Sequence, residues 1–139
     1  MVLNADIAIK YLGHATFLIT TPGGKSLLID PWVYNNPACP EEDKQIGSLD
    51  TMLVTHAHFD HIQDAVELAK EHEPQIGCIF EIGNWLERKG VKNINAMNKG
   101  GVQRLNDVNV TMVDARHSCG ILEDDGSISY GGTAAGYIV

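Results

Sequence analysis

Basic residues are scarce in this chain. Ten lysines and arginines stand against 18 aspartates and glutamates, a net charge of −8, and that field repels a phosphate backbone, which argues against sequence-independent nucleic-acid binding but leaves room for a small anionic substrate at a cation. Long apolar runs are missing too. No stretch approaches the roughly 20 residues that cross a bilayer, and the opening MVLNADIAIK has no basic segment leading into an apolar run, so the expectation is a cytoplasmic protein with no membrane partner. Cysteine is limited to Cys39, Cys78 and Cys119, an odd number at irregular spacing with no C-x-x-C pair to suggest a zinc ribbon or redox motif, and they read as reduced, partly buried thiols. Low-complexity sequence is absent as well. With 44% hydrophobic and 20% charged residues in 139, the composition is that of a soluble globular protein and the length that of a single domain, residues 1–139.

What is present alternates between two patterns. Ile7 to Leu12, Thr16 to Thr20 and Ser26 to Ile29 are short β-branched and apolar runs, the last two separated by Thr21-Pro22-Gly23-Gly24, and they read as strands with a hairpin. Gly24-Lys25-Ser26 is part of that turn: a P-loop needs glycine five residues before Gly24, where Ile19 stands, and a helix after the serine. Pro31 to Gly47 reads as a long loop able to wall a pocket. Thr51 to Thr55 is a buried-type strand. Ile62, Ala65, Val66 and Ala69 then predict an amphipathic helix running to about Glu73 before Pro74, with His72 in solvent. Gln75 to Ile79, Ile82 to Lys89 and Asn93 to Met97 follow as strand, helix and strand. Val102 to Leu105 and Val108 to Ala115 flank an Asn106-Asp107 turn, a glycine- and aspartate-rich loop spans Gly120 to Gly132, and Thr133 to Val139 reads as a last strand in which the chain stops.

The strand over Thr51 to Thr55 ends in THAHFDH, where His56, His58, Asp60 and His61 fall within six positions. Imidazoles and carboxylates are ligands for divalent metals. In H-x-H-x-D-H the first two histidines can face one way from an extended turn while Asp60 and His61 face a second position, so one segment serves two neighbouring metals. The plainer alternative is a polar loop with Asp60 as an N-cap.

THAHFDH resembles the signature of the metallo-β-lactamase superfamily. YLGHATFLIT and LLIDPW are similar to its L-ascorbate-6-phosphate lactonase-like and uncharacterised metal-dependent hydrolase branch, and the likeness runs along the whole chain. The resemblance implies an α+β fold, the metallo-β-lactamase αββα sandwich, with a dinuclear site at the edge where two sheets meet. It implies His56 and His58 as ligands of a first metal, completed by His117 in DARHSCG, and Asp60 and His61 as ligands of a second. Asp30 in LLIDP matches an aspartate that supports the metal loop from behind; an ordinary strand-end aspartate opening a turn at Pro31 is the other reading. His14 in GHAT would line the site and contact substrate, or is a turn histidine. Cys119 is not called for by the motif.

The family's bridging aspartate and final histidine have no counterpart here, so the expectation is the first half to two-thirds of the fold. An uncovered apolar sheet face follows from that, costly at about 25 cal/mol per Å², and predicts either a homodimer or a missing C-terminal half as partner. The implied activity is a metal-dependent hydrolase in which Asp60 orients a metal-bound hydroxide that attacks a small-molecule ester, lactone, amide or phosphoester. Zinc suits the imidazoles, with manganese or iron as alternatives at the position richer in oxygen. A catalytically silent metal-binding or assembly half-domain is the rival reading.

Overall fold

The apolar runs of the N-terminal third pair as antiparallel strands. In the computed structural model, which describes residues 6–139, β1 (Ala8–Tyr11), β2 (Phe17–Thr20) and β3 (Ser26–Ile29) form a meander with Ala8 opposite Thr20 and Phe17 opposite Ile29. The first five residues, part of the stretch read above for a leader, lie outside those described. The Gly24-Lys25-Ser26 segment is the expected hairpin, closed by Thr21 N–H to Lys25 O and Lys25 N–H to Thr21 Oγ1.

β4 (Thr51–Leu53), β5 (Gln75–Ile79) and β6 (Ile94–Met97) extend this sheet in parallel, in the order β1-β2-β3-β4-β5-β6. Parallel neighbours need crossover connections. The β3–β4 connection is the long loop, with one 3-10 turn at Glu41–Asp43. The β4–β5 connection is helical but not the single helix expected: α1 (Phe59–Ile62) and α2 (Ala65–His72) are separated at Gln63 and Asp64. Asp64 causes the break. Its buried carboxylate accepts the Val33 and Tyr34 N–H groups at 2.5 and 2.9 Å, while its own N–H bonds Pro31 O. The turn is thereby locked to the loop after β3 rather than to a continuous helix.

Glu73, at φ 49° and ψ 44°, ends α2 in the left-handed conformation, and Asn93 Nδ2 bonds its carbonyl. That tie draws the helix end inward, so His72 is not in solvent as expected: its side chain is only 11% exposed. α3 (Phe80–Arg88) joins β5 to β6.

A second, antiparallel sheet is ordered β11-β8-β7, from β7 (Val102–Leu105), β8 (Val108–Asp114) and β11 (Ala135–Ile138). Between β8 and β11 the expected loop is instead a hairpin, β9 (Gly120–Leu122) and β10 (Ile128–Tyr130), paired Ile128 to Leu122 and Tyr130 to Gly120. Glycine and aspartate mark only its tip, where Asp125 Oδ1 accepts the Ser127 N–H and Gly126 sits at φ 82°. Its three-residue strands are too short to show a period of two.

The two sheets pack face to face over Leu53, Met97 and Leu105, with Gly77 between them. On the opposite face of β5 and β6, Cys78, Ile94 and Ala96 lie under Gly83 of α3. Strands sandwiched in this way lose polar–apolar alternation, which is why QIGCI reads as a continuous apolar run. Polar ties fix the sheets in register: Asn106 Nδ2 bonds Asp50 O and Thr51 Oγ1, and Tyr137 Oη bonds Val54 O. The three cysteines are free and buried, and burial pushes the Cys78 thiol up to about 12.

A methyl at Gly77 would stand 2.7 Å from Leu53 Cδ2 and 3.1 Å from Leu105 Cδ1. Gly77→Ala is therefore expected to destabilise the chain by about 1–3 kcal/mol through overpacking, read as a lower denaturant midpoint with an unchanged slope.

Candidate metal centre

Four segments converge at the C-terminal ends of β3 and β4. Asp30, the residue after β3, is 2% exposed and takes a positive φ of 51°. Its backbone is held there by Asp30 N–H to Leu53 O and by Thr16 Oγ1 to Asp30 O, at 2.9 and 2.7 Å. Its carboxylate then faces the histidine motif. Oδ1 accepts Thr55 N–H at 2.7 Å, and Oδ2 lies 2.7 Å from both Thr55 Oγ1 and His61 Nδ1.

A proton inventory assigns the tautomers. The carboxylate accepts only, so Thr55 Oγ1 gives it its one hydrogen and His61 Nδ1 gives the other, leaving a lone pair on His61 Nε2. Thr55 Oγ1 also lies 3.0 Å from His56 Nδ1 and, with its hydrogen already committed, can only accept from that nitrogen. His56 Nε2 is then the free lone pair. One buried carboxylate thus orients His61 directly and His56 through Thr55, an arrangement that in metal sites fixes ring orientation and raises ligand basicity.

His56 Nε2 is buried and has no hydrogen-bond partner. Desolvation, with the neighbouring His61, His58 and His117, lowers the His56 pKa to about 4, so at neutral pH the ring is uncharged. A buried lone pair without a donor is costly unless something fills the space before it. His58 and His117 present ring nitrogens to the same point, all three within 4.8 Å of one another. His58 Nδ1 is 3.2 Å from His117 Nε2, close to the about 3.3 Å that separates two nitrogens on a tetrahedral zinc with bonds of about 2.0–2.1 Å. His58 Nε2, on the far side of its ring, lies 3.2 Å from Ser118 Oγ. The three histidines fit a divalent metal.

A second group gathers beside the first. His14, Asp60 and His61 bring donor atoms within 4.8 Å of one another. Asp60 lies inside the first turn of α1, whose N-cap is His58, so the capping alternative does not describe it. His14 comes from the β1–β2 turn and is packed edge-on to Trp32 and His61, with ring centroids 5.6 and 5.0 Å away.

The structure therefore gathers every candidate named from the sequence: His56, His58 and His117 in one group, Asp60, His61 and His14 in another, with Asp30 behind both. Cys119 is elsewhere, its thiol donating to Gly131 O. Thr55 and Ser118 carried no signal of their own, since a hydroxyl that bonds a neighbouring ring has no signature in the sequence. The Pro31 to Gly47 loop walls a pocket of its own, of about 500 Å³, lined by Tyr34, Glu41, Glu42, Lys44 and Gln45. A cleft of about 600 Å³ beside the histidines is lined by His58, Phe59, Asp60, Ser118, Gly120, Leu122 and Ile128, so the β9–β10 hairpin supplies much of it. The Pro31 to Gly47 loop reaches the site through Trp32 alone among the aromatic contacts.

Known proteins resemble this chain in sequence and fold. A UPF0173 metal-dependent hydrolase of Koribacter versatilis (strain Ellin345) is 58% identical over 133 residues, covering 96% of this chain and 57% of that protein. One from Solibacter usitatus (strain Ellin6076) is 52% identical over 131 residues, covering 94% and 56%. Among solved structures, Igni18, a metallo hydrolase from the archaeon Ignicoccus hospitalis, superposes with a TM-score of 0.75 at 31% identity, over 94% of this chain and 54% of that one. The chain thus spans a little over half the length of the relatives it matches. The beta-lactamase superfamily domain matches residues 25–139, a stretch that holds both groups of donors except His14, and this chain belongs to that superfamily.

Proposed function

We propose that this chain carries the metal-binding part of a metal-dependent hydrolase, in which His56 Nε2, His58 Nδ1 and His117 Nε2 hold one divalent cation and Asp60 and His61 contribute to a second. The observation that carries the reading is the partnerless, buried His56 Nε2 facing two further ring nitrogens at the mouth of the cleft. The relatives named as metal-dependent hydrolases support it. Zinc suits the three imidazoles, and manganese or iron suits the position with the carboxylate.

A divalent cation supplies Lewis acidity, activating water near neutral pH and polarising a carbonyl or phosphoryl oxygen. The protein's residues do the rest. Asp30 and Thr55 keep the lone pairs of His61 and His56 aimed into the site. Asp60 orients the attacking water by accepting a hydrogen bond from it. The cleft admits a small molecule, and Phe59, Leu122 and Ile128 along it accommodate an apolar portion of an ester, lactone, amide or phosphoester. For the assembly, a homodimer covers the apolar groove of Ile9, Ile19, Leu27, Val108 and Val139, where Ile9 and Val139 are half exposed.

Three outcomes are expected. Elemental analysis of the chain finds bound divalent metal, and a screen of activated esters, lactones and phosphodiesters finds turnover that falls at least about 100-fold in His58→Ala; turnover unaffected by that change overturns the site, and metal without any turnover favours the silent module. Thr55→Val, which keeps the shape and removes the hydroxyl, weakens metal affinity by roughly 10–100-fold while the metal-free fold is retained. Sedimentation equilibrium gives the mass of two chains, and a well-behaved monomer rules out the dimer.

A further inference from the structure

We infer that His14 is a metal ligand, the third protein donor of the second cation position, rather than only a substrate contact. The inference rests on the proposed metal-dependent reading and goes beyond it by closing a donor set that otherwise has two members from this chain.

Position and chemistry agree. His14 Nε2 lies 3.3 Å from His61 Nε2 and 2.9 Å from Asp60 Oδ2, and the first of these is the spacing expected of neighbouring donors on a cation with bonds of about 2.0–2.1 Å. His61 Nδ1 gives its hydrogen to Asp30, so the nitrogen that His61 turns toward His14 is an acceptor. Without a cation, a hydrogen on His14 Nε2 can serve both the Asp60 carboxylate and the His61 lone pair; a cation in that hydrogen's place is held by the same three atoms at the spacing they already have. Three donors from the protein with an open fourth position is the form of a catalytic zinc site.

The turn that carries His14 is built to hold it there. His14 adopts a left-handed φ of 54° after Gly13 at 98°, a conformation that costs free energy for a side chain with a Cβ. The surrounding bonds impose it: Thr16 N–H to Gly13 O, Leu12 N–H to Thr16 O, and Asn36 Nδ2 reaching Leu12 O and Gly13 O. Gly13 cannot be replaced without collision, because a Cβ there would meet Ala38 Cβ at 2.7 Å. Trp32 packs edge-on against the His14 ring, with centroids 5.6 Å apart.

The test is zinc and cobalt(II) binding to the 139-residue chain, with His14→Asn, His14→Gln and His58→Ala beside it. Asparagine tolerates the left-handed backbone, so the turn survives; glutamine keeps an amide able to donate to Asp60 but lacks the ring nitrogen. Wild type is expected to take up two zinc equivalents, and both His14 variants one. Their second affinity should fall by more than the roughly 10–100-fold that loss of a supporting hydrogen bond produces. The visible cobalt spectrum should lose the contribution of one site in the His14 variants and of the other in His58→Ala, with the melting temperature of each metal-free variant showing that the fold is intact. Two tightly held equivalents in His14→Asn, or full retention in His14→Gln, overturns the inference while leaving the first position standing. A wild type that binds a single equivalent overturns it as well. A wild type that binds none overturns the metal-dependent reading itself, so the two failures are told apart.

Discussion

The Asp30 carboxylate is the interaction on which the site depends. It is buried at the end of β3, and its oxygens are satisfied by the Thr55 N–H, the Thr55 hydroxyl and the His61 ring. A carboxylate taken out of water is tolerable only with such partners, and hydrogen bonds to an ionised acceptor are about twice as strong as neutral ones. The bonds span three elements: the end of β3, the end of β4 and the first turn of α1. The left-handed φ of Asp30 is the local cost of aiming the side chain at the motif.

From that anchor the donors run outward along a gradient of exposure. His56 is 6% exposed, the His61 side chain 13%, Asp60 26% and His14 44%. The His56 ring is thus the most enclosed of these four and uncharged at neutral pH, and Asp60, farther out, lines the open cleft. An acidic surface, with a net charge of −8, draws cations toward such a centre. The hairpin of β9 and β10 adds an apolar wall next to it, with Leu122 57% and Ile128 76% exposed.

Much of the fold was legible because its strands obey simple rules. Ser26 to Ile29, Gln75 to Ile79 and Val102 to Leu105 were placed to the residue: the first two are mostly apolar runs that follow turn residues, and the third lies between Gly101 and the Asn106-Asp107 turn. Two of the failures share one cause. The break at Gln63 and Asp64 depends on backbone groups of Val33 and Tyr34, about thirty positions away in the chain. His72 is largely enclosed where the end of α2 is tied to Asn93, and no local window contains the partners in these two cases. The β9–β10 hairpin is local, but its three-residue strands are too short to show a recognisable pattern.

The sequence by itself determined the candidate donors: the spacing of His56, His58, Asp60 and His61 after a buried strand points to a metal chemistry, because so many ligand atoms on one turn have little other use. Only the tertiary structure decided how they divide and which nitrogen each presents. His117, 59 residues after His58 in the chain, reaches the first group because β8 delivers it to the end of β4, and His14 reaches the second because the β1–β2 turn folds over α1. Ring orientation is a matter of hydrogen-bond partners brought together in space. The relay from Asp30 through Thr55 to His56 exists only once β3 and β4 lie side by side.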